Sequence, residues 1–198
     1  AALLCESNPP ARAAGSALHS LFIDGEGRLS SCGSAPPYAP GLLGHGEGVT
    51  QLNTPTQIPS TLGERAVSVS AGDFHSLALT AGGAVWSWGF GGEGRLGHGD
   101  TQSQLLPKKI EALAGRRVVA VSAGGGHSFV ITAEGAVWSW GDGGFGERGH
   151  GDEQNQLLPK KIEALAGQRV VAVSAGARHS LALTADGAFF TWGEGGHA

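Results

Sequence analysis

Hydrophobic and polar positions alternate along this chain in short bursts separated by glycine. "RVVAVSAG" (117–124) and "HSLALT" (75–80) are such bursts, and their length and aliphatic content predict strands. "GAVWSWG" (83–89) is another, with enough valine and tryptophan to suit a pleated, buried surface. Between the last two lies T-A-x-G, as "TAGG" at 80–83, "TAEG" at 132–135 and "TADG" at 184–187. A short turn ending in glycine between two strands predicts a hairpin, because glycine takes positive φ at little cost. "PKKIEAL" (107–113) is ambiguous. Its I-x-x-L spacing suits one helical turn, but so short a piece with a proline in front makes no stable helix. An outer strand or extended segment is expected there.

The bursts recur. "QLLPKKIEALAG" stands at 104–115 and again at 156–167, and 39 of 52 positions are identical between His75–Gly126 and His127–Arg178. A diverged copy precedes them. The extra residues of that copy fall mainly in "SAPPYAPGL" (34–42), which is expected to be a longer surface loop. The expected division is a leader or remnant of a preceding repeat over 1–13, then repeats over 14–198. The repeats comprise a diverged unit 19–74, units 75–126 and 127–178, and a partial unit 179–198. Four short strands per unit of about fifty residues is the size of one propeller blade.

The pattern W-G-x-G-x-x-G-R-L-G-H-G-D, then P-x-x-I-x-x-L-x-G, then V-x-x-V-x-A-G-x-x-H-S-x-x-L-T-x-x-G is carried by Trp88–Asp100, Pro107–Gly115 and Val118–Gly135, with Ile131 at the leucine position. It resembles the regulator of chromosome condensation repeat, over about residues 14 to 198, and is specific because the motifs recur in register. "RLGHGD" and "PKKIEAL" look most like repeats of large ubiquitin ligases and the plant UV-B photoreceptor group. The resemblance implies an all-β fold: a partial β-propeller of a seven-bladed type, with three to four blades of four short antiparallel strands. An open arc leaves an apolar blade face bare at each end. The expected partners are therefore other protein chains, or the missing half of its own propeller. The function implied is a non-enzymatic protein–protein interaction scaffold, as a fragment or subunit of a larger propeller protein or assembly. Two alternatives come from the same resemblance: guanine-nucleotide exchange on a small GTPase, or the regulatory propeller of a ubiquitin ligase. The exchange activity of the founding member implies a protruding β-wedge, and no insertion of that kind stands between 75 and 198.

Composition narrows the picture. Hydrophobic residues make up 40% and charged residues 15%, which suits a packed, turn-rich fold rather than disorder. The formal charge of −4 gives no basic footprint for nucleic acid. No apolar run approaches the roughly 18 residues of a membrane span. The two cysteines, Cys5 and Cys32, form no C-x-x-C pair, and an intracellular setting, cytoplasmic or nuclear, is expected. The chain has no methionine, so a processed chain or a piece of a longer one is expected.

Several motifs invite chemistry. "GFGGEG" (89–94) and "GDGGFG" (141–146) satisfy G-x-G-x-x-G after a strand, but no helical period follows to hold a phosphate, so tight turns between blades are expected. Seven histidines fall into two periodic sets, His19, His75, His127 and His179 before serine, and His45, His98 and His150 in G-H-G. Repeated positions lie a blade apart, so imidazoles bonded to backbone or bridging blades are expected, rather than a converging metal site. Trp86, Trp88, Trp138, Trp140 and Trp192 read as core. The UV-B photoreceptor resemblance would place tryptophan just before the histidines, where 72–74, 124–126 and 176–178 have none. Lys108, Lys109, Lys160 and Lys161 form a repeating basic pair, a solvated face or a partner-binding strip. Arg148 replaces the leucine of Leu43 and Leu96. The third blade is then remodelled there, or Arg148 is exposed, or it meets an acidic partner. Together, Lys108, Lys109, Arg148, Lys160 and Lys161 are the candidate partner-binding residues. No catalytic, metal or cofactor site assembles.

Overall fold

A computed structural model describes residues 12–59 and 62–195. Most of the expected leader, with Cys5 and His197, lies outside them. The described chain is all-β, in four antiparallel sheets. The first sheet holds β1 (Ala13–Gly15), β2 (His19–Ile23), β3 (Leu29–Ser34) and β4 (Gln51–Gln57). The second holds β5 (Ala66–Ala71), β6 (His75–Thr80), β7 (Val85–Gly89) and β8 (Gln104–Lys109). The third holds β9 (Val118–Ala123), β10 (His127–Thr132), β11 (Val137–Gly141) and β12 (Gln156–Lys161). The fourth holds β13 (Val170–Ala175), β14 (His179–Thr184) and β15 (Phe189–Gly193).

In every sheet the spatial order follows chain order. The first strands of successive sheets touch one another, β1 with β5, β5 with β9, β9 with β13. They are the inner strands, and β4, β8 and β12 are outermost. This is a partial propeller. Residues 75–126 supply β6–β8 to one sheet and β9 to the next, so each sequence unit ties two sheets together.

The predicted hairpins form. Gly83, Gly135 and Gly187 have φ of +87°, +81° and +91°, and Gly83 N donates to Thr80 O at 2.9 Å to close its turn. "PKKIEAL" differs from expectation in its second half. Strand β8 starts at Gln104 and ends at Lys109, and Glu111–Leu113 form one 3-10 turn. Pro107 is tolerated because β8 is an edge strand, where a missing N–H can face outward. A 3-10 turn eclipses positions three apart, which sets Ile110 and Leu113 side by side in the core.

The main cores lie between sheets. Leu21, Ile23 and Leu29 of the first sheet pack with Ala78 and Trp88 of the second. Leu77, Leu79 and Val85 of the second pack with Val118, Val130 and Trp140 of the third. Phe129, Ile131 and Val137 of the third pack with Val170, Ala182 and Trp192 of the fourth. Each sheet thus has a forward face toward the next sheet and a rear face toward the previous one. Fully burying one such side chain is worth roughly 1.5–3 kcal/mol, so sheet-to-sheet contact carries much of the stability. The 34–42 loop runs over the surface but is pinned by buried Ala35, Ala39 and Leu42, with Tyr38 exposed.

The two ends of the arc differ from each other. On the forward face of the fourth sheet, Leu181 and Phe189 are 41% and 77% exposed, although Leu77, Phe129, Val85 and Val137 at the matching positions are buried. The rear face of the first sheet carries half-buried Phe22, Ser30 and Cys32 where later sheets place alanine or valine and two large aromatics. That end is smaller and more polar than the expectation of two bare apolar faces.

Candidate functional site

The turn after each inner strand and the long connection from third to fourth strand share one side of the arc, the loop side. At this side, one polar joint is built three times. His19, His75 and His127 begin the second strands and are buried. Each imidazole Nε2 meets a serine hydroxyl of the next sheet: His19 with Ser76 at 2.7 Å, His75 with Ser128 at 2.8 Å, His127 with Ser180 at 2.9 Å. Each serine donates back to a carbonyl of the histidine's own sheet. Ser76 reaches Leu42 O at 3.4 Å, Ser128 reaches Arg95 O at 2.9 Å, and Ser180 reaches Glu147 O at 2.8 Å. A hydroxyl has one proton, so the imidazole must donate through Nε2–H. Trp140 Nε1 and Trp192 Nε1 donate to the same Arg95 and Glu147 carbonyls, at 2.8 and 2.7 Å.

Two more bonds repeat near the axis. Ala123 N donates to Ser70 Oγ and Ala175 N to Ser122 Oγ, both at 3.0 Å. Asp73 N donates to Gly124 O at 3.2 Å and Gly125 N to Gly176 O at 3.1 Å. Glycine is required at 124: a Cβ there would lie 2.5 Å from Gly176 O and 2.7 Å from His127 Cε1.

Burial keeps these imidazoles neutral. Desolvation pushes His19 and His127 down to about 4, and it drives His75 well below the ordinary histidine value, with nearby Arg95 adding to the effect. His45, His98 and His150 repeat the device inside one sheet. They meet Ser31, Ser87 and Ser139 at 3.0, 3.0 and 2.9 Å. Those hydroxyls donate to the Leu43, Leu96 and Arg148 carbonyls, each at 2.7 Å. His19, His75 and His127 do bridge blades, but through serine rather than directly to backbone, whereas His45, His98 and His150 bond within their own sheet. Among the described residues no group of three or more His, Cys, Asp or Glu could hold a metal ion.

The other candidates take structural places. "GFGGEG" holds a 3-10 turn at Gly92–Gly94 with no helix after it. It connects β7 to β8 of one sheet and packs against β12 of the next, where a Cβ on Gly94 would meet Leu157 at 2.5 Å. Trp88 and Trp140 are fully buried core. Lys109 pairs with Glu111 at 3.7 Å, Lys161 with Glu163 at 3.9 Å and Lys160 with Asp152 at 4.0 Å. These are exposed pairs of small energetic weight, and Lys108 is exposed beside them. Arg148 is fully buried and donates to Asp152 Oδ1 at 2.6 Å, while its Nε and Nη1 have no protein partner. Of the three expectations for Arg148, exposure is overturned by its burial, and its carboxylate contact is Asp152 of its own loop.

Arg95 was missed from the sequence. It is buried, donates to Gly125 O of the third sheet at 2.8 Å, pairs with Glu93, and lies 5.0 Å from the Phe90 ring centroid. Its position reads Leu42, Arg95, Glu147 along the units, which hid it. Arg65 was also missed. It donates to the Gly25 and Glu26 carbonyls at 3.0 and 3.1 Å, clamping the first hairpin. Its signal was an arginine before the inner strand in three units, Arg65, Arg117 and Arg169.

Comparison with known proteins places this architecture. The family described as "Regulator of chromosome condensation (RCC1) repeat" matches residues 40–79, 82–131 and 134–183. The human "E3 ubiquitin-protein ligase HERC2" is 43% identical over 179 residues, 89% of this chain and 4% of that protein. The "Ultraviolet-B receptor UVR8" of Arabidopsis thaliana is 42% identical over 156 residues, 78% of this chain and 35% of that protein. Human WBSCR16 superimposes with a TM-score of 0.79 at 26% identity, covering 90% of this chain and 45% of that one. Yeast RCC1 (Prp20), solved bound to Kap60, gives 0.77 at 24% identity, covering 91% and 43%, a likeness of fold. The chain thus spans under half the length of each.

Proposed function

The chain belongs to the regulator of chromosome condensation (RCC1) repeat family, and from that premise we propose that it is a non-enzymatic scaffold for protein–protein interaction. The observation that carries this is the fate of the polar repeats. His19, His75 and His127, their serines and the Trp140 and Trp192 ring nitrogens, which could have done chemistry, are consumed in joints between sheets. What differs from unit to unit is the loop side. It exposes Tyr38 at 64% and Phe145 at 40%, and Arg178 stands 4.5 Å over the Phe145 ring. Aromatic and arginine side chains of this kind anchor protein interfaces. Its carboxylates include Asp73, Asp100, Asp142, Glu153 and Glu194, while Arg95 and Arg148 are buried in pairs. The favoured partner face is therefore basic. The outer-strand lysines Lys108, Lys109, Lys160 and Lys161 form a second, weaker contact strip. The forward face of the fourth sheet calls for a further sheet, from the rest of a longer polypeptide or from another chain.

The alternative readings are guanine-nucleotide exchange on a small GTPase and service as the regulatory propeller of a ubiquitin ligase. The first is separated by adding the chain to several nucleotide-loaded small GTPases and following nucleotide release. The scaffold reading expects the intrinsic rate, and acceleration overturns it. An intracellular setting goes with this reading, since Cys32 is a free thiol.

A further inference from the structure

Each internal joint has a donor side and an acceptor side, and at the two ends of the described arc each side stands without a described counterpart. On the forward face of the fourth sheet stand the fourth-sheet members of three series. His179 follows His75 and His127, Ser174 follows Ser70 and Ser122, and Ala177 N follows Asp73 N and Gly125 N. Among the described residues, none of these three groups has a hydrogen-bond partner on another sheet. On the rear face of the first sheet, the matching receptors stand first in their series. Ser20 precedes Ser76, Gly15 N precedes Ala71 N, and Ser16 O precedes Gly72 O.

Size is complementary as well. The forward end is bulkier than the internal joints, with Phe189 where Val85 and Val137 stand. The rear end is emptier, with Ser30 and Cys32 where Trp86 and Trp88 stand. Across the third joint, Phe129 meets Trp192 edge-on at 5.9 Å, and the same pair of positions at the two ends is Leu181 and Cys32.

We propose that the forward face of the fourth sheet docks on the rear face of the first sheet of a second copy of this chain. His179 Nε2–H donates to Ser20 Oγ, Gly15 N–H to Ser174 Oγ, and Ala177 N–H to Ser16 O. Phe189 fills the space left by Ser30 and Cys32. The contact is head-to-tail, so it joins unlike surfaces. This rests on the scaffold reading only in taking the arc as an assembly unit.

The test is light scattering during size exclusion on the whole 198-residue chain, with one variant blocking each face. Leu181→Asp with Phe189→Asp blocks the forward face at exposed positions. Ser20→Arg blocks the rear face. Wild type is expected to form species above 20.0 kDa that grow with concentration. Each variant alone is expected to run as a monomer with an unchanged strand spectrum by circular dichroism. Mixed together, they keep one good face each, and a one-to-one complex of twice that mass is expected. A wild-type monomer at tens of micromolar overturns the proposal and would assign the forward face to a further sheet. Association that survives either block, or variants that fail to pair, also overturns it. Neither result touches the nucleotide-release test of the scaffold reading.

Discussion

Acid should loosen the joints between sheets, and the size of the effect follows from the buried histidines. Unfolding frees each imidazole to bind a proton near its ordinary value of 6.5, whereas in the fold His19 and His127 accept one only at about 4. The unfolded state then binds more protons between these values. Stability is intact above about 6.5 and falls as the pH drops toward 4. At pH 5 the fall is roughly 1.5 pH units at 1.36 kcal/mol each, or about 2 kcal/mol per histidine. His19 and His127 together lose about 4 kcal/mol, against a typical domain stability of roughly 5–15 kcal/mol. His75, which desolvation also drives well below the ordinary histidine value, pulls in the same direction. Glu147 opposes them, because burial raises its carboxyl and the fold then gains a proton first. Urea unfolding followed by tryptophan fluorescence at pH 7.5 and pH 5.0 measures the sum. A large drop in midpoint is expected, and His127→Gln should remove about 2 kcal/mol of the pH dependence. Equal midpoints at the two pH values would refute the neutral, buried latch.

Four further substitutions probe the serine acceptors, the close glycine approach and the buried arginine. Ser128→Ala leaves His75 Nε2–H without an acceptor and the Arg95 carbonyl with one donor fewer. It should cost about 1–3 kcal/mol in urea unfolding, whereas Ser122→Ala, on a half-buried hydroxyl, should cost less. Gly124→Ala forces a Cβ to 2.5 Å from Gly176 O, and a fall of several degrees in Tm is expected. Arg148→Leu restores the residue of the other units and removes two buried, unpartnered nitrogens. It should hold or raise the Tm, and a marked fall would show that the Asp152 pair outweighs their desolvation.

Fold class was legible because the glycine-punctuated bursts recur in register, and each recurrence repeats the same physical demand. T-A-x-G announced the hairpins since only glycine takes φ near +87° without strain, as at Gly83. The second half of "PKKIEAL" was not legible. Ile110 and Leu113 are drawn into a 3-10 turn by a core that belongs to two sheets, and spacing within one segment does not encode that. The histidines announced their period but not their partners. Each serine that binds them follows the next histidine in sequence, about fifty residues away, and only the stacking of sheets brings the two together. Arg95 and Arg148 occupy positions where the units disagree, so periodicity worked against finding them.

The central claim is that neutral histidines donate through Nε2 to serines on the adjacent sheet. Nitrogen-15 NMR of the labelled imidazoles at pH 6, assigned with Ser76→Ala, Ser128→Ala and Ser180→Ala, observes this directly. The account predicts that His19, His75 and His127 are uncharged, carry their proton on Nε2, and exchange it slowly with water. Imidazolium signals, or protons on Nδ1, at these three positions would contradict it.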